Sequence, residues 1–323
     1  MWNFLFKMIG TELNKAVKHL KAGELVGIPT ETVYGLAANG LDVNAVLKIY
    51  EAKERPFFDP LILHVNNLEK VNALILSFDL RLKKLADAFW PGPLTLLLPK
   101  NQLVPDIVTS GLNQVAIRIP NHSLTLSLLE QLNFPLAAPS ANPFGYISPT
   151  TALHVNKQLG EKVAYILDGG ACEIGLESTI VGVEEGKVCV YRLGGLSIEQ
   201  LEAVVGEVTL KVNLSGDPKA PGQLKSHYAP TKPLFHGDLE KLFNQHRGKK
   251  LICLCFGEPP PFKDRVRILN LSPNCDLQEA AKNLFGFLRQ ADELDGDVII
   301  AQNLPMLGLG LAINDRLKRA AVN

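Results

Sequence analysis

Lys53 and Arg55 stand one residue apart in Lys53-Glu54-Arg55-Pro56. Two cations so placed, just past an apolar helix pattern, can clamp a phosphate chain. They also suit a helix C-terminus, whose carbonyl dipoles attract cations without any ligand, and on spacing alone this is the commoner use. Arg118 sits in Val115-Ala116-Ile117-Arg118-Ile119-Pro120. Strand alternation points its guanidinium away from the face of Ile117 and Ile119. A buried guanidinium needs an anionic partner. No acidic residue is close in sequence, so the partner is a distant carboxylate or a ligand's carboxylate or phosphate. Arg192, in Val190-Tyr191-Arg192-Leu193-Gly194, has the same character, and for both arginines the two readings stand level.

Three loops add polar groups. Pro29-Thr30-Glu31-Thr32-Val33-Tyr34-Gly35-Leu36 follows an apolar strand pattern, a place where scaffolds carry functional side chains. Ala138-Pro139-Ser140-Ala141-Asn142, with Ser148 beyond it, offers small donors for phosphate oxygens, or an ordinary capped turn. His227-Tyr228 is bracketed by prolines in an irregular stretch, which predicts docking onto an interface or a ligand. His64, between Leu63 and Val65, reads first as a core histidine. Nucleotide motifs of the P-loop and N-terminal Rossmann types are missing, and Gly308-Leu309-Gly310 reads as a helix start.

The elements that must position these groups follow from periodicity. Leu13, Ala16, Val17 and Leu20 mark a helix. Further helices are predicted around Ala45–Tyr50, Leu82–Phe89, Leu124–Leu132 and Ile198–Val205. Strands are predicted at Leu25–Ile28, Leu61–Val65, Leu94–Leu98, Val115–Ile119, Val163–Leu167, Thr179–Val183 and Val188–Leu193. Periodicity fails from Val212 to Pro233 and returns as a strand–helix alternation. The layout is a mixed α/β domain over 9–208, a linker or lid over 209–232 and a small α/β domain over 233–323.

The 323 residues carry 33 Lys+Arg and 33 Asp+Glu, so bulk charge draws the chain to neither nucleic acid nor anionic membrane. With 46% hydrophobic and 20% charged residues it has a globular composition. No apolar run is long enough for a membrane span, and Met8 is a second candidate start beside Met1. Five scattered cysteines read as reduced thiols of a cytoplasmic protein. Cys253 and Cys255 share a strand face but have no second pair for zinc.

Taken in order, these segments resemble threonylcarbamoyl-AMP synthase, the YrdC-domain family, in its long two-domain form. The matching stretches are Pro29–Leu36, Lys53-x-Arg55-Pro56, Pro60-Leu61, Trp90–Thr95, Val115–Pro120, Ser140-x-Asn142, Glu177–Ile180 and Arg192-x-Gly194. His227–Pro230 and Gly308-x-Gly310-x-Ala312-Ile313-x-Asp315-Arg316-Leu317 match the long form. The resemblance implies a twisted mixed sheet around a basic cavity, followed by a small Rossmann-like domain. It implies ligation of L-threonine, bicarbonate and ATP, with Mg2+ accompanying the nucleotide and no metal site of the protein's own. The product would pass to the tRNA threonylcarbamoyl-transfer machinery that modifies adenosine 37, with at most a weak tRNA contact and no membrane. By family analogy Thr32, His64, Arg118, Ala138 and Ser178 contact threonine. Arg55, Asp59, Ser140, Asn142, Ser148, Arg192 and Tyr228 contact ATP, and Lys53 and Asn142 complete the K-x-R and S-x-N signature, Lys53 and Arg55 serving catalysis. The chain departs from the family at Asp59, where the pattern has Asn, and at Gln114, where it has Thr.

Two other readings compete. An RNA-binding module would use the cavity without catalysis, against which the zero net charge speaks. A domain acting on carbamoyl phosphate belongs to larger proteins with zinc-finger cysteines, which this chain lacks.

Overall fold

A computed structural model describes residues 8–212 and 228–321. The choice between Met1 and Met8, His227 and most of the 209–232 linker involve residues outside these. The large domain runs β1 (Ile9–Gly10), α1 (Leu13–Lys21), β2 (Val26–Ile28), β3 (Gly35–Asn39), α2 (Val43–Lys53), β4 (Ile62–His64), α3 (Leu80–Phe89), β5 (Leu94–Pro99), β6 (Gln114–Arg118), α4 (Ser123–Glu130), β7 (Leu136–Ala137), α5 (Ala152–Leu159), β8 (Tyr165–Leu167), β9 (Thr179–Glu184), β10 (Lys187–Arg192), α6 (Ile198–Val205) and β11 (Thr209–Leu210). Its strands form one mixed sheet in the order β1-β8-β2-β3-β7-β4-β6-β5-β9-β10-β11.

Local chemistry explains the turns that matter. α1 buries Ala16, Val17 and Leu20, the predicted apolar face. α2 starts where Asp42 accepts from the amides of Asn44 and Ala45. It stops at Glu54, which is left-handed at φ 55°, and the Arg55 amide returns to the Tyr50 carbonyl at 3.0 Å. That stop throws Arg55 and the following residues back across the sheet. β2 and β3 form an antiparallel hairpin whose connection is the Thr30–Tyr34 segment. The chain therefore has a strand at Gly35–Asn39 that the sequence pattern does not show, because Gly-Leu-Ala-Ala-Asn carries no branched or aromatic strand former. β7, only two residues long, pairs with both β3 and β4.

The small domain runs β12 (Leu234–Gly237), α7 (Leu239–Gln245), β13 (Leu251–Cys255), β14 (Arg267–Asn270), α8 (Leu277–Glu293), β15 (Val298–Gln302) and α9 (Leu309–Ala320). Its sheet is parallel throughout, ordered β12-β15-β13-β14. Both faces are covered, as parallel sheets require. Leu251, Cys253 and Cys255 pack with Leu242 and Phe243 of α7. Ile252 and Leu254 join a cluster that takes in α8, α9 and the large domain's core. The domains also meet closely: a Cβ on Gly175 would lie 2.6 Å from the Lys282 backbone of α8. No helix among the described residues is long and apolar enough to cross a membrane.

Candidate active site

Parallel strands β4 and β6 lie side by side, with His64 in register with Arg118. Registered partners project from the same face, so both side chains leave the sheet together at the strands' carboxyl ends. There they meet Thr32 from the β2–β3 connection, Ala138 and Ser140 beyond β7, Ser178 before β9, Arg192 ending β10, Arg55 and Tyr228. These residues wall a partly enclosed cavity of about 570 Å³, mouth included. Thr30, Val33, Gly35, Pro60–Ile62, Pro139 and Glu177 complete its lining.

Each guanidinium is anchored from behind. Arg118 ion-pairs with Glu31 at 2.7 Å, donates to Thr32 Oγ1 at 2.8 Å and to the Gly92 carbonyl at 3.2 Å. Of the two partners open to Arg118, the distant carboxylate is thus present. Arg55 pairs with Asp59 at 2.8 Å and donates to the Asp59 and Pro60 carbonyls. Arg192 donates to the Ser178 carbonyl at 3.0 Å and, through its other nitrogen, to Ser178 Oγ at 3.0 Å. Ser178 Oγ in turn shares a hydrogen bond with Thr95 at 2.7 Å. The backbones that carry these groups touch: a Cβ on Gly194 would sit 2.3 Å from the Glu177 carbonyl oxygen, so only glycine fits.

Burial sets the protonation states. It pushes His64 down to about 3, with the Arg118 cation acting the same way, so His64 is a neutral hydrogen-bonding group rather than an acid or base near neutral pH. Among the described residues its Nδ1 has no hydrogen-bond partner. Burial lowers Arg192 to about 10, which leaves it charged at pH 7. Burial would raise Glu177, but Arg316, Arg192 and Ser148 hold it below the ordinary carboxylate range.

Four predicted residues lie off the wall. Lys53 is buried and donates through Nζ to the Ser140 carbonyl at 2.6 Å and to the Asn142 carbonyl. It braces the Ser140–Asn142 loop from behind. Burial, then Arg55, holds its pKa well below the usual lysine range. Asn142 donates to the Pro143 and Tyr146 carbonyls at 2.8 Å. Ser148 donates to Glu177 at 2.6 Å. Asp59 turns its carboxylate onto Arg55. Gln114 opens β6, four residues from Arg118 and roughly 13 Å along the strand. The sequence reading assigned no role to Glu31, Glu177 or Arg316. Each lies inside a quoted motif, but pairing is a tertiary fact that spacing does not carry.

The chain is similar to known proteins over nearly its full length. A family model, Sua5_yciO_yrdC, described as "Telomere recombination", matches residues 18–194. A second, described as "Threonylcarbamoyl-AMP synthase, C-terminal domain", matches 196–322. A threonylcarbamoyl-AMP synthase of Pyrococcus abyssi is 40% identical over 95% of this chain and 93% of its own. One from Bacillus subtilis is 40% identical over 96% and 93%. The crystal structure of P. abyssi Sua5 complexed with L-threonine superposes with a TM-score of 0.90 at 39% identity, covering 96% of this chain and 94% of that one. The chain therefore belongs to the Sua5/YciO/YrdC family and carries the C-terminal domain of the threonylcarbamoyl-AMP synthases.

Proposed function

We propose that this chain is an L-threonylcarbamoyladenylate synthase, a nucleotidyltransferase. It condenses L-threonine, bicarbonate and ATP into threonylcarbamoyl-AMP, pyrophosphate and water. The observation that supports this most is the convergence of Arg55, Arg118 and Arg192 with Thr32, His64 and Ser178 on one cavity. The threonine amine takes up the bicarbonate carbon as a carbamate, releasing water. A carbamate oxygen then attacks the α-phosphorus, and pyrophosphate leaves with the electron pair of the broken P–O bond. Little bond-making falls to side chains, so catalysis is positioning and charge stabilisation.

Arg118 holds the threonine carboxylate by paired hydrogen bonds. Thr32, Ser178 and the Nδ1 of His64 read its amine and hydroxyl, against Ala138. Arg55, Arg192 and Ser140 hold the nucleotide phosphates, Mg2+ enters bound to ATP, and Tyr228 closes the wall. Ser148, Asn142, Asp59 and Lys53 act one layer back, by fixing the groups that touch ATP. The product goes on to the enzyme that transfers threonylcarbamoyl to adenosine 37 of tRNA.

An RNA-binding module is not favoured. Arg55, Arg118 and Arg192 are 7%, 3% and 6% exposed, so a polynucleotide backbone cannot reach them. The test is pyrophosphate release from ATP with threonine and bicarbonate omitted in turn. Release is expected only with both, and release independent of threonine overturns the reading.

A further inference from the structure

The C-terminal motif around Asp315-Arg316 has no part in the reaction so far. Arg316, on α9, is fully buried, yet its guanidinium leaves the small domain and ends behind the cavity. Nε donates to Glu177 Oε2 at 2.9 Å, and one terminal nitrogen donates to the Leu193 carbonyl at 2.7 Å. The other donates to Asp315 Oδ2 at 2.6 Å, an acid that also takes Nε of Arg319. The guanidinium carbon lies 5.0 Å from the centre of the Tyr228 ring. Glu177, Tyr228 and the backbone beside Arg192, three pieces of the cavity wall, thus rest on one side chain.

Glu177 makes this more than domain docking. It lines the cavity and accepts from Ser148 Oγ through Oε1. A carboxylate on the wall of a phosphate site repels the incoming chain unless a cation neutralises it. Arg316 is bonded to it directly. Arg289 of α8 reinforces the same layer by donating to the Ser148 carbonyl at 3.3 Å.

We infer that Arg316 is a positioning residue for the nucleotide half of the site. Supplied by the small domain, it neutralises Glu177 and holds Ser148, Tyr228 and the Leu193 backbone in the shape that receives ATP. The inference rests on the synthase reading.

The experiment compares the full-length chain with Arg316→Gln, with the double variant Arg316→Gln/Glu177→Gln, and with Lys157→Met. The last removes an exposed pair across the same domain interface, Lys157–Glu293 at 2.8 Å. ATP and threonine are titrated separately by pyrophosphate release, and melting temperatures are recorded. Arg316→Gln should raise the KM for ATP about thirtyfold and leave that for threonine within about threefold. The double variant should return the ATP KM to within about fivefold of the parent, since no charge is left stranded. Lys157→Met should match the parent. A folded Arg316→Gln with unchanged ATP KM, an equal rise for both substrates, or no rescue in the double variant overturns the inference. If Arg316→Gln does not fold, the double variant decides: folded with near-parental ATP KM supports the inference, and unfolded overturns it by showing a packing role alone. A parent chain that releases pyrophosphate without threonine refutes the synthase reading instead, so the two failures are distinguishable.

Discussion

Replacing Arg118 by Met separates two roles that the structure superimposes on one guanidinium. It would hold the threonine carboxylate, and it neutralises Glu31 at 2.7 Å with both side chains 4% exposed. Met keeps most of the volume, so the losses are electrostatic. Stranding a buried carboxylate costs about 3–5 kcal/mol of stability. At roughly 2–4 °C per kcal/mol, the melting temperature should fall by about 6–20 °C. Charge-assisted hydrogen bonds contribute about 1.5–3 kcal/mol, and at about 1.4 kcal/mol per decade their loss raises the threonine KM at least tenfold. Repulsion from the unpaired Glu31 takes the rise in the single variant to about 100-fold.

Glu31→Gln/Arg118→Met divides these terms. Without the stranded charge the melting temperature should return most of the way, while the threonine KM stays at least about tenfold above the parent. The assay is pyrophosphate release with threonine titrated at saturating ATP and bicarbonate, then ATP titrated at saturating threonine. A double variant with parental threonine KM would show that Arg118 serves only to balance Glu31. A single variant that raises both KM values equally would remove Arg118 from the threonine half of the site.

Lys53→Met should raise the ATP KM about tenfold and lower the melting temperature, because the Ser140 and Asn142 carbonyls lose their donor at about 1–3 kcal/mol each. A lower melting temperature with unchanged ATP KM would confine Lys53 to the fold. His64 gives the pH prediction. Its pKa is about 3 when folded and about 6.5 when unfolded, so below pH 6.5 the unfolded chain binds the extra proton. Its contribution is complete above pH 6.5 and is lost as pH falls toward 3, amounting to about 1.4 kcal/mol at pH 5.5. Urea melts at pH 7.5 and 5.5 should show that loss in the parent and not in His64→Gln; equal losses would refute the assignment.

The cations of the site are readable in sequence, and their counter-charges are not. Arg118 and Arg192 declare themselves because a guanidinium in an apolar strand must be buried with a partner. Which partner depends on the β2–β3 connection lying over the end of β6, and β3 is hidden by its small residues. Arg316 is harder still. In the pattern Ile313-Asn314-Asp315-Arg316-Leu317 it reads as the solvated side of an amphipathic helix, yet it is fully buried because that side of α9 is the domain interface. Helix periodicity reports which residues are apolar, and a buried ion pair crosses that rule.

The pairing changes what a basic cavity means here. Arg55, Arg118 and Arg192 each donate to a main-chain carbonyl, of Pro60, Gly92 and Ser178 respectively, and two of them also meet a carboxylate. Cations fixed this way need no reorganisation when an anionic substrate arrives, the condition under which electrostatic stabilisation is strongest. Unpaired, the same three charges would repel one another inside one cavity and push the fold toward opening. The carboxylates of Asp59 and Glu31 therefore let three buried guanidinium groups share one cavity before any substrate binds. Glu31→Gln or Asp59→Asn should lower the melting temperature of the empty protein more than that of the protein saturated with threonine and ATP, and equal shifts would refute this account.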